Sequence, residues 1–179
     1  MKKFIMSLLI ILAAGCSLNM NATPKQKVED YLNKYKTEHN SVIEQLKETI
    51  DNAFDKDEYK ERYNTLILNQ YKELEYKITD EIVEDNTAVV EAEVTVLDYG
   101  KASKNADDYL TTHRDEFLGD DNKYDNDKFD DYRLSLMEKV TDKTTYKIEF
   151  NLTKNDNGEW EIDNLSDNDL KKLHGIYVE

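Results

Sequence analysis

The sequence predicts an α+β fold in which N-terminal helices pack on a bent, cone-shaped antiparallel sheet of about four strands, with a helical insertion between the second and third strands. Three observations predict it. Apolar residues recur at helical spacing from Val28 to Tyr71, the period changes to two from Leu74 onward, and a second helical stretch, Asp98 to Val140, interrupts the strands. The chain has 179 residues, enough for one domain and an appendage.

The first helix opens at Thr23-Pro24-Lys25-Gln26, which supplies a Thr cap, a Pro where no N–H is needed and a Gln at the third helical position. Val28, Tyr31, Leu32 and Tyr35 form its apolar face. A second start is expected at Ser41 with Glu44, followed by the stripe Val42, Ile43, Leu46, Ile50 and Phe54. Tyr59, Tyr63, Leu66, Ile67 and Tyr71 mark a third helix. All three stripes read as core-facing surfaces.

Strands follow. Leu74, Tyr76 and Ile78 alternate with polar residues, and after a turn at Asp85-Asn86 the set Ala88, Val90, Ala92, Val94 and Val96 points to one side. Tyr146, Ile148, Phe150 and Leu152 make a third strand, and Trp160 and Ile162 a fourth, joined through Asn155-Asp156-Asn157-Gly158. In the insertion, one stripe is Ala102, Ala106, Tyr109, Leu110 and Phe117, and the other is Phe129, Tyr132, Leu136, Met137 and Val140. Ser166 caps a last helix that Gly175 stops.

Composition excludes whole classes of function. Against 24 Lys and Arg stand 39 Asp and Glu, a formal charge of −15, so no nucleic-acid partner is expected. A single Cys excludes a disulfide framework and a multi-cysteine zinc site. No Gly-x-Ser-x-Gly, His-Glu-x-x-His, phosphate-binding Gly-rich loop or Cys-x-x-Cys occurs, and no cofactor is expected. The acidic stretch with Asp120, Asp121, Asn122, Asp125 and Asp127 has oxygen ligands of the kind Ca²⁺ takes, yet it lacks the Gly and Glu spacing of a calcium loop; it reads as a solvated loop, and no metal site is assigned.

The N-terminus gives the sharpest functional signal. Met1-Lys2-Lys3 is basic, and the apolar run from Phe4 to Ala14 is shorter than the about 20 residues of a membrane span. It ends in Leu12-Ala13-Ala14-Gly15-Cys16, and here the chain resembles a bacterial lipoprotein precursor, with Ala13 at the position where that family prefers Leu. The resemblance implies cleavage between Gly15 and Cys16 and a diacylglyceryl group on the Cys16 sulfur. Residues 1–15 are then a signal peptide, 16–22 a lipidated tether and 23–179 the folded domain, held at the extracytoplasmic face of the cell membrane. Cleavage removes Lys2 and Lys3 and no acid, so the mature chain is more acidic still.

Helices followed by Tyr76-Lys77-Ile78-Thr79, Ala88-Val89-Val90-Glu91-Ala92 and Gly158-Glu159-Trp160-Glu161-Ile162 resemble the nuclear-transport-factor-two-like, or cystatin-like, fold. More narrowly, the order is similar to that of uncharacterised Gram-positive lipoproteins. This resemblance implies a cone-shaped cavity between sheet and helices but not its occupant. Candidate ligand contacts are Tyr76, Tyr99, Tyr146 and Trp160, whose side chains combine apolar area with a polar tip, and His113, which continues the stripe of Tyr109 and Phe117 toward the core. Asp98 is weighed as a pocket acid or, more simply, a helix cap. His39 before a helix and His174 in a last helical turn read as structural, the latter as a cation favoured by the helix dipole. Three functions remain: a membrane-anchored binding module for an envelope protein or a cationic peptide, a small isomerase- or hydrolase-like enzyme with its site inside the cone, and a structural spacer or immunity-type protein.

Overall fold

The computed structural model describes residues 22–178. The expected signal peptide, the Gly15–Cys16 cleavage point and the tether up to Asn21 lie outside the described residues. Three helices come first, α1 (Pro24–Lys36), α2 (Asn40–Ala53) and α3 (Asp57–Glu73). α1 starts as its composition dictates: the Thr23 hydroxyl accepts the Gln26 N–H at 3.2 Å, and the Thr23 N–H is donated back to Gln26 Oε1 at 2.9 Å. α2 corrects the expectation for Ser41. Its cap is His39, whose Nδ1 accepts the Ser41 N–H at 3.3 Å, so Ser41 lies inside the first turn.

The sheet consists of β1 (Glu75–Glu84), β2 (Thr87–Leu97), β3 (Lys143–Lys154) and β4 (Trp160–Ile162), in that spatial order and antiparallel throughout. Ala88, Val90, Ala92, Val94 and Val96 of β2 and Ile148, Phe150 and Leu152 of β3 are buried under the helices. The opposite face is polar and carries Glu93, Thr95, Lys147 and Glu149; Lys147 reaches Glu91 at 2.9 Å. β1 contains a bulge: Ile78 pairs with Ala92 and Asp80 with Glu91, leaving Thr79 extra. One inserted residue reverses the alternation that follows. Glu81 therefore falls opposite Val90, on the helix side, where its carboxylate accepts the Lys25 N–H at 2.9 Å in the first turn of α1.

Between β2 and β3 lie α4 (Tyr99–Thr112), a 3-10 turn (Arg114–Phe117) and α5 (Asn126–Met137). Phe117 does not extend the α4 stripe, because the helix ends at Thr112 and the tighter turn swings the ring back. It packs edge-on against Phe129 at 5.3 Å, and the two rings form a small second core with Ala106. Arg62 of α3 clamps this insertion, donating Nε and Nη2 to Glu138 at 2.6 and 3.0 Å and Nη1 to Asp131 at 2.6 Å.

The last helix, α6 (Asp167–Leu173), is capped by Ser166 and stopped by Gly175 at φ +69°. The chain then crosses the start of α4, where the Gly100 N–H is donated to the Gly175 carbonyl at 2.8 Å. His174 is fully buried, with Nδ1 3.3 Å from the Tyr71 hydroxyl. It is not the cation expected at a helix end: burial lowers its pKa from 6.5 to about 3, so the ring is neutral.

Two outcomes follow from this packing. A Cβ at Gly100 would sit 1.9 Å from the Tyr177 carbonyl oxygen, and one at Gly175 2.2 Å from that of Leu97. Gly100→Ala and Gly175→Ala should each lower stability in urea melts by about 2 to 3 kcal/mol, as overpacking against backbone does. The unfolded chain protonates the His174 imidazole below about pH 6.5, whereas the folded chain resists until about pH 3. Stability should therefore fall with acidification across that window, with a slope from this group approaching about 1.4 kcal/mol per pH unit. Comparing melts at pH 7.5 and 5 with those of His174→Gln, which lacks the titrating group, isolates the contribution.

Candidate functional site

The sheet's inner face is filled. Phe150 is wholly buried and its ring lies edge-on to Tyr31 at 5.9 Å; the Tyr31 and Tyr35 hydroxyls are 3.1 Å apart, and Tyr35 meets Tyr71 at 5.2 Å. Burial raises the Tyr31 phenol to about 12, so it is a neutral packing group at ordinary pH.

The five candidate ligand contacts occupy separate places. Tyr76 (β1) and Tyr146 (β3) flank Val94 in one cross-strand row; the Tyr76 hydroxyl donates to Asn33 Oδ1 at 3.0 Å, and the Tyr146 ring meets Tyr177 at 5.7 Å. Tyr99 is the first residue of α4 and is buried, its hydroxyl donating to the Leu66 carbonyl at 3.1 Å. Trp160 lies at the other end of β3, opposite Lys154, with the Lys154 ammonium 4.7 Å above its ring. His113 corrects its expected place near the core. It ends α4 as an exposed cap, and its ring stacks on Tyr109 at 3.8 Å while Nδ1 lies 2.8 Å from the Thr112 hydroxyl.

What the fold does form is a groove of about 450 Å³ between α4 and α5, within the size range of ligand sites. Tyr109 and Tyr132 make one wall, their rings 5.0 Å apart, and Ala102 and Leu136 supply apolar floor. Asp98, Lys101, Lys139 and Asp142 line the end where β2 stops and β3 begins, joined there by the Asp98 N–H to the Asp142 carbonyl at 3.0 Å. Asp98 acts as the helix cap, accepting the Lys101 N–H at 3.0 Å. The Tyr109 hydroxyl donates to the Glu116 carboxylate at 3.0 Å, and that bond holds its phenol above the usual range. An open groove with an aromatic wall and a rim of both charges suits the docking of a side chain or short segment. Periodicity places Tyr109 and Tyr132 in core stripes of separate helices, and neither stripe shows that the two rings share a wall.

Several carboxylates of the acidic connection have partners. Asp121 bonds Lys123 at 2.9 Å, Asp125 accepts the Asp127 N–H at 3.0 Å, and Asp127 meets Lys56 at 2.6 Å. Among the described residues, no group of three or more His, Cys, Asp or Glu is arranged to hold a metal ion, and no helix is long and apolar enough to cross a membrane.

Neither the known protein families nor the curated proteins contain a match to this chain. Among solved structures, the chain is similar to a candidate lipoprotein (ycdA) from Bacillus subtilis, with 14% identity and a TM-score of 0.40 over 92% of this chain and 51% of that one. It thus spans about half the length of that protein.

Proposed function

We propose that the chain is a lipid-anchored lipoprotein of the extracytoplasmic membrane face whose domain binds a partner through the α4–α5 groove. The observation that carries this reading is the sole cysteine, Cys16, placed directly after an apolar run and the small residues Ala13-Ala14-Gly15, six residues before the described domain begins. A binding role is supported over internal catalysis by the filling of the sheet's inner face with Tyr31, Phe150 and Trp160. His174 is locked beneath the surface, and the Asp98 carboxylate is occupied as a cap. The excess of acids favours a cationic peptide or a basic patch on an envelope protein, because long-range attraction raises the encounter rate. The nuclear-transport-factor-two-like assignment belongs to the same proposal, supported by helices preceding an antiparallel sheet that ends in the Asn155–Trp160 hairpin.

Cys16→Ala should abolish partition into detergent and leave unprocessed precursor or released protein; mature, detergent-partitioning material from this variant overturns the anchor. For the groove, a photo-crosslinking side chain in place of Lys139 should capture a discrete species in intact cells, whereas the same group at Glu149, on the wet sheet face, should not. Equal capture from both positions, or none from Lys139, overturns the groove as the binding surface.

A further inference from the structure

Strand and helix directions give the domain two distinct ends. Lys25 at the start of α1 bonds Glu81, while Asn33, two turns later, accepts from Tyr76 at 3.0 Å, so α1 runs antiparallel to β1. The helix N-terminus therefore points the same way as the β1–β2 turn at Asp85-Asn86. The second hairpin turn lies at that end too, since the Lys154 N–H is donated to the Asn86 carbonyl at 2.9 Å. At the opposite end Leu97 pairs with Lys143, and the groove opens just beyond them. Ten strand steps of about 3.3 Å separate the two ends by roughly 33 Å.

At the turn end, Ile82 and Val83 are 54% and 50% exposed. The bulge at Thr79 sets their directions: Ile82 falls opposite Val89 and Val83 opposite Ala88, so the ribbon carries an apolar side chain on each face. We propose that, given the lipid anchor on which this inference rests, the domain stands turn end down and that Ile82 and Val83 touch the lipid bilayer, leaving the groove facing away from the membrane. Chain length carries the argument. From Cys16 to Ala22 are six steps, a reach of about 20 Å, and α1 receives that tether beside Glu81, only about 13 Å of strand from the turn. The acyl anchor and the hairpin tip are thus held to the same surface. A second copy is the poorer occupant, because Glu81, Glu84 and Asp85 would meet their own like charges. The same acids make zwitterionic headgroups the fitting lipid, since anionic ones repel them.

The test uses the chain from Cys16 with its single thiol coupled to a maleimide phospholipid in phosphatidylcholine vesicles. This imposes the anchor whether or not the cell acylates Cys16, so failure here is distinct from failure of the anchor reading, which the Cys16→Ala cell experiment reports. In a Trp160→Phe background, Ile82→Trp emission should shift to the blue and drop to about half with brominated phosphatidylcholine, while that of Lys139→Trp stays unchanged. Equal quenching at both positions, or none at position 82, overturns the orientation. Should the Trp160→Phe background fail to fold, hydrogen exchange on the otherwise unaltered chain decides the same question. Anchoring should slow amides 82–86 and leave 139–142 unchanged, and unaltered exchange at 82–86 overturns the contact.

Discussion

A crossing of two backbones with no room for a side chain holds this domain together. The segment after α6 passes over the junction of β2 and α4 so closely that Gly100 and Gly175 face carbonyl oxygens where any other residue would place a Cβ. That contact ties the segment that follows α6 back onto the end of β2 and the start of α4. The same junction is fixed from beneath, where Gln70 Oε1 accepts the Leu97 N–H at 2.8 Å and the Tyr99 hydroxyl reaches the Leu66 carbonyl. Because the crossing sets where α4 begins, it also sets the end of the groove at Asp98 and Asp142.

The interior shows why a sheet with this outline need not enclose a ligand site. Tyrosines supply much of the packing between α1, α3 and the sheet, and their hydroxyls must find partners once water is excluded. Tyr31 pairs with Tyr35, and Tyr71 pairs with His174, so these polar tips meet inside an otherwise apolar core, whereas the Tyr63 hydroxyl and His174 Nε2 are buried without a hydrogen-bond partner among the described residues. A neutral histidine fits that arrangement better than a charged one, since a buried imidazolium with no carboxylate beside it would carry the full desolvation penalty.

Much of this architecture was legible because local signals and tertiary packing agree. The alternation of Ala88 to Val96 and of Tyr146 to Leu152 survives as two paired strands, and Thr23, Asp98 and Ser166 cap the helices they precede. Departures occur where a less favoured local contact or a tertiary contact decides. His39 takes the capping role that residue preferences give to Ser41, and the bulge at Thr79 depends on pairing with β2 that one strand alone cannot display. His113 and Phe117 lie at i+4 and i+8 from Tyr109, so periodicity extends a helix across them; the chain instead breaks at Thr112 and returns as a 3-10 turn. The groove was invisible for a related reason, since a stripe records that a face is apolar but not how far its partner helix stands away.

Charge and polarity then bear on how such a body works near a membrane. The net charge of the chain is strongly negative, so attraction to anionic lipid cannot come from the domain as a whole; an attraction to the bilayer is local or absent. Ile82 and Val83 are the exposed apolar pair on the end from which the tether runs, while the other large exposed apolar residue among those described, Val178, follows the C-terminal crossing at the opposite end. A short tether alone leaves a domain free to roll about its anchor, because zwitterionic headgroups carry no net charge that would select one charged face. Two apolar side chains at one end break that degeneracy, because turning them away from the interface gives up their burial while lowering no repulsion elsewhere.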